Sequence, residues 1–272
     1  MARLNWIRLT AMIGLVAIGS NRVCASYMFV DPTGFDAQTT STPGSYNFPK
    51  IGTITANVKF LGDGISLGTR TLDFDGPGLS NPSWMGGTRE MFNINYDGSA
   101  SGGPRELMEI EFVFSTRFSN ASYMLFNDFD SEEGVAIAAF DVNNSLIPFA
   151  DLTLTRVDGE QPGGASSLMP LWLDYNPTND WASGNSPWSG TGAVSGFLVD
   201  TEDDSNDDVG VAISSSRTIS RVVYYVNMET DSTGGNNLRF NFASPVPEPG
   251  SIAIFGIGML GAYGRYRRRN RN

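Results

Sequence analysis

The side chains best equipped for chemistry in this sequence are carboxylates, and they come in runs. Asp128-Phe129-Asp130-Ser131-Glu132-Glu133-Gly134 sets acidic residues at alternate and adjacent positions of one loop. Oxygens spaced in this way can converge on Ca²⁺, which takes six to eight oxygen ligands. The spacing resembles the start of an EF-hand loop, but its glycine is misplaced, the distal glutamate is missing and no helical pattern flanks it. A solvated acidic hairpin accounts for the same residues. Asp128, Asp130, Glu132 and Glu133 are the candidate metal ligands, and calcium is the one cofactor they suggest. A second patch, Asp200 to Asp208, contains Glu202, Asp203, Asp204, Asp207 and Asp208; these charges repel one another unless a cation screens them.

Carboxylates also hydrolyse glycosides, where two of them face each other about 5–10 Å apart. No spacing in this sequence singles out such a pair, and no catalytic residue is assigned. The chain contains no histidine, which removes Ser-His-Asp and Cys-His catalysis, most zinc enzymes and imidazole base chemistry. Trp172, Trp181 and Trp188, with Tyr175, lie among Gly, Ser, Asn and Pro. They suit an exposed platform on which sugar rings stack, and equally pins that hold a long loop against the rim of a domain. A non-enzymatic protein is expected, with a polysaccharide-binding module as the alternative and a glycoside hydrolase third.

The elements that must position these residues read as strands. Ile54, Ala56, Val58 and Phe60 alternate with polar residues, as do Ile110, Phe112 and Phe114; Leu152 and Leu154; Val209, Val211 and Ile213; and Leu238, Phe240 and Phe242. A period of two puts each apolar set on one face of a sheet. The runs 123–126, 135–140 and 222–226 are apolar on both faces and read as central strands. Turn-rich loops such as Asp73-Phe74-Asp75-Gly76-Pro77-Gly78 separate them. Residues 160–200 read as a long excursion off the domain or as one of its edges. The predicted fold is all-β: a single antiparallel, jelly-roll-like β-sandwich over residues 26–243.

Charge is spread unevenly. Residues 26–243 hold ten basic and 28 acidic side chains, a net charge near −18. Such a surface repels nucleic acid and anionic lipid headgroups and suits solubility outside the cell. Cys24 precedes this body, so the body can form no disulfide.

Both ends read as addresses. Arg3 and Arg8 precede an apolar stretch from Leu9 to Ile18, and Val23-Cys24-Ala25 carries small residues where a signal peptidase requires them. The expected signal peptide is residues 1–25, cut between Ala25 and Ser26, and it implies the secretion machinery as a partner. At the other end Pro247-Glu248-Pro249 precedes a short apolar run that includes Ile252, Ala253, Ile254, Phe255, Ile257, Met259 and Leu260. Arg265, Arg267, Arg268, Arg269 and Arg271 follow. The arginines would stay cytoplasmic while the apolar run forms a short membrane helix. Residues 244–272 are thus a linker, a motif, a hydrophobic helix and a basic tail.

This order resembles the PEP-CTERM sorting signal of exported bacterial proteins, and the resemblance covers about residues 245–272. It implies cleavage by an exosortase-like membrane protease and transient anchoring by the C-terminal helix. The processed protein is then expected at the cell surface or in the extracellular matrix. The resemblance also implies a Gram-negative or planctomycete-like host that makes exopolysaccharide. A structural or adhesive role there is the expectation.

Overall fold

The computed structural model describes residues 27–48, 52–62, 64–75, 79, 81–82, 84–96, 106–118, 122–129, 134–158, 169–176, 178–179, 183–184, 187–189, 195–199, 209–228 and 236–246. The expected signal peptide, the Pro-Glu-Pro motif, the membrane run and the arginine tail lie outside them. Among the described residues no helix is long and apolar enough to cross a membrane.

One compact unit runs from Tyr27 to Pro245 and is built of strands. In chain order these are β1 (Tyr27–Phe29), β2 (Gly44–Phe48), β3 (Gly52–Leu61), β4 (Ile65–Asp73), β5 (Thr88–Tyr96), β6 (Glu106–Phe118), β7 (Tyr123–Phe129) and β8 (Gly134–Phe140). There follow β9 (Leu146–Ile147), β10 (Leu152–Asp158), β11 (Met169–Tyr175), β12 (Trp188–Ser189), β13 (Ser195–Val199), β14 (Val209–Ser215), β15 (Ile219–Met228) and β16 (Asn236–Pro245). Two 3₁₀ turns, Phe35–Ala37 and Phe149–Asp151, complete the set of described elements.

The strands form two antiparallel sheets. The first runs β10-β14-β7-β16-β5-β4, with β1 paired to the end of β16; the second runs β12-β11-β13-β8-β15-β6-β3-β2, with β9 on β8. Alternation decides which side chains enter the core. Met108, Ile110, Phe112 and Phe114 of β6 face inward with Val222, Tyr224 and Val226 of β15, and Phe92, Phe126, Phe240 and Phe242 come from the other sheet. The two sets meet directly: ring centroids of Phe112 and Phe242 are 5.0 Å apart, and those of Phe126 and Tyr224 are 4.8 Å apart. Phe35, on the first 3₁₀ turn, closes the core edge-on against Phe92 at 5.0 Å. Each fully buried side chain of this size stabilises the fold by roughly 1.5–3 kcal/mol.

The three runs apolar on both faces are central strands. The structure shows what covers their second face: a small cluster over β8 and β15 and another over β7. Leu154 differs from the expectation. It alternates with Leu152 as predicted, yet it is 37% exposed, because β10 is an edge strand and has a neighbour on one side only. Residues 160–200 contribute the edge of the second sheet through β11, β12 and β13.

Candidate functional site

The outer face of the second sheet carries two neighbouring carboxylates of β6, Glu109 and Glu111, each with its own partners. Odd-numbered residues of β6 point away from the core, so Glu109 and Glu111 stand two residues apart on that face. Arg221 and Tyr225 lie beside them on β15, and Asn57 and Lys59 on β3. Glu111 receives Lys59 Nζ at 3.1 Å, Arg221 Nη1 at 2.9 Å and Asn57 Nδ2 at 3.2 Å. Desolvation pushes the Glu111 carboxyl up, but Lys59 and Arg221 together outweigh it and hold the group below its ordinary value. Arg221 is itself fixed, with its guanidinium carbon 3.6 Å from the Phe140 ring centroid and Nη2 donating to Asn144 Oδ1 at 2.8 Å.

Glu109 is 3% exposed and accepts a hydrogen bond from the indole Nε1 of Trp188 at 2.9 Å. The Trp188 ring stacks on Tyr225, with centroids 5.5 Å apart, and covers Ala136, Ala138 and Val223. For Trp188 alone, this placement follows the loop-pinning reading and not the exposed platform. Trp188 is 5% exposed; its indole supplies both a wide apolar face for these small residues and a donor for the buried carboxylate. Trp172 lies on the described backbone of β11, and nothing is described of its side chain; Trp181 lies outside the described residues.

A third acidic centre is Asp141, at the turn after β8. Backbone N–H donation from Ser145 at 3.0 Å and Asn143 at 2.8 Å, with Arg217 Nη2 at 2.7 Å, holds its carboxyl below the usual range. The candidate calcium ligands Asp130, Glu132 and Glu133 lie outside the described residues, and Asp128 is described in its backbone alone. Among the described residues, no group of three or more potential metal ligands occurs.

The first sheet carries an aromatic group on its outer face that sequence reading missed. Trp84 lies flat on Tyr123, with centroids 4.5 Å apart and planes at 9°. Tyr27 packs against both, at 5.0 Å and 5.7 Å. All three are half-buried. Below them Phe74, Met85, Met91 and Leu125 form a small second core, and the Arg89 guanidinium carbon lies 4.9 Å from the Phe29 ring centroid. Burial, and then the neighbouring Tyr123, raise the Tyr27 phenol. The three aromatics lie far apart in sequence, and no local pattern could have joined them.

Comparison with known proteins adds one assignment. Residues 245–269 match the family described as the PEP-CTERM protein-sorting motif, so the chain carries that motif, starting at the last residue of β16. The motif implies export and a C-terminal membrane anchor in general, with an exosortase-type processing partner. No curated protein is significantly similar to this chain in sequence. Among solved structures, the enzymatically active domain of tailspike protein 4 from bacteriophage CBA120 overlaps 80% of this chain at 8% identity and a TM-score of 0.28. The chain spans about a fifth of that tailspike domain's length (21%). The xyloglucanase domain of NopAA, a type three effector from Sinorhizobium fredii, overlaps 77% of this chain and 100% of its own at 14% identity and a TM-score of 0.30. Similarity at this level carries no argument about activity.

Proposed function

We propose that this is a non-enzymatic exported protein with a jelly-roll-like sandwich body. It is held transiently by its C-terminal segment, processed by an exosortase-like protease, and then serves a structural or adhesive role at the cell envelope or in the exopolysaccharide matrix. The observation that carries the reading is the sorting motif at residues 245–269. The described carboxylates support the non-enzymatic part. Glu109 and Glu111, two residues apart on the outer face of β6, are both engaged, Glu109 by the Trp188 indole and Glu111 by Lys59 and Arg221.

Replacing the motif by Pro247→Ala, Glu248→Ala and Pro249→Ala tests this reading. The expected outcome is unprocessed protein retained in the membrane fraction, against shortened protein outside the cell for the wild type. Wild-type protein that stays full length in the cytoplasm would overturn it. Turnover of a polysaccharide by the purified body, lost in one Glu or Asp variant, would overturn the non-enzymatic part.

A further inference from the structure

The register of β1 on β16 places Tyr27 opposite Pro245 and Phe29 opposite Ala243. Tyr123 pairs with Ala243 from the other side. The group Tyr27, Trp84 and Tyr123 therefore sits at the end of the first sheet from which the sorting segment departs. Only residues 246–251 separate Pro245 from the apolar run that starts at Ile252. Six residues reach at most about 20 Å when fully extended. Part of that length is taken up in crossing the headgroups, which add roughly 5–8 Å on each side of the hydrocarbon. While the tail is anchored, this edge of the body is confined close to the bilayer surface.

The chemistry of the edge fits that position. Trp and Tyr are the residues enriched at membrane–water interfaces, because a flat apolar ring and a polar N–H or O–H satisfy both sides of the boundary. Tyr27, Trp84 and Tyr123 each present a half-buried ring of this kind, backed by the buried cluster of Phe74, Met85 and Leu125. The net charge near −18 of residues 26–243 selects against anionic headgroups, so a zwitterionic surface is the matching one. We propose that Tyr27, Trp84 and Tyr123 form an interfacial foot that seats the body on a zwitterionic lipid surface before the tail is cut. This rests on the anchoring proposed above and adds the surface through which the body meets the membrane.

The test uses tail-bearing protein purified from cells that lack the exosortase and reconstituted into phosphatidylethanolamine–phosphatidylcholine vesicles. Some of these carry bromines on the upper acyl chain, which quench indoles that reach the interface. Flotation of the wild type with the vesicles reports the anchor. Bromolipid is expected to quench part of the wild-type tryptophan emission, and Trp84→Phe, which keeps a stacked ring on Tyr123, is expected to lose that part. A second variant, Tyr123→Ser, is expected to reduce the quenching of Trp84 without preventing flotation. Failure of the wild type to float would strike the anchoring reading. Flotation with equal quenching in wild type and Trp84→Phe would overturn the foot alone. Retardation by a matrix polysaccharide that Trp84→Phe abolishes would also overturn it, reassigning the rings to sugar.

Discussion

Tyr224 packs its ring among Phe112, Phe126, Phe240 and Phe242, and its hydroxyl is buried. The oxygen has no hydrogen-bond partner among the described residues, and burial pushes the phenol well above its ordinary value. An unpaired buried polar group costs about 1–3 kcal/mol. Tyr224→Phe is therefore expected to raise the unfolding midpoint in urea, with a gain of roughly 1 kcal/mol; a drop of that size would show that the hydroxyl is satisfied. Glu111 points the other way. Its folded carboxyl sits below the ordinary value of 4.5, so near that pH the unfolded chain binds more protons than the folded one. Its contribution is complete above the unfolded value and fades as pH falls through the folded one. Glu111→Gln should cost roughly 2 kcal/mol at neutral pH, and the gap to wild type should close in acid. A gap that stays constant from neutral pH to pH 3 would remove the ion-pair account.

At the scale of elements, β16 is the strand that must serve two partners on one side, β5 over its first half and β1 over its last residues. Asn241 stands where they part. Its Nδ2 donates to the carbonyls of Val30 at 3.0 Å and Glu90 at 2.7 Å, and its Oδ1 accepts from Val30 N at 3.1 Å. A leucine, branched at the same carbon, would take this donor from the Val30 and Glu90 carbonyls, while Val30 N keeps its bond to Phe242 O at 3.3 Å. Asn241→Leu is expected to cost about 3 kcal/mol, measurable by denaturant unfolding, and a neutral result would show that β1 does not need this bridge. Alternation made β3, β6, β14 and β16 legible in the sequence, because Ile110, Phe112 and Phe114 stand on one face and polar residues on the other. β4 escaped it: Gly68, Thr69, Arg70 and Thr71 are polar on both sides and become a strand only through pairing with β5. The same holds for the sites. Trp188 reaches Glu109 across 79 positions, and no spacing rule encodes a hydrogen bond between a buried carboxylate and an indole so distant. The sorting tail was readable because its motif, apolar run and basic cluster are contiguous.

The whole molecule is dominated by one sign of charge. With 28 acidic against ten basic side chains in residues 26–243, mutual repulsion opposes the compact state. Raising salt from about 0.01 M to about 0.15 M shortens the screening length from roughly 30 Å to roughly 8 Å. The melting temperature is expected to rise over this range, and a fall would show that attractive pairs outweigh the repulsion. The antiparallel register Tyr27 to Pro245 also has a mechanical consequence. Tension applied between those two residues would load the ladder one rung at a time, like a zipper opened from its end. Three rungs would yield in turn at low force, while a pull directed along β16 would shear its pairing with β7 all at once. A body stretched through its tail against a grip on its far side would thus resist strongly, whereas one stretched between its two ends would give way first at β1.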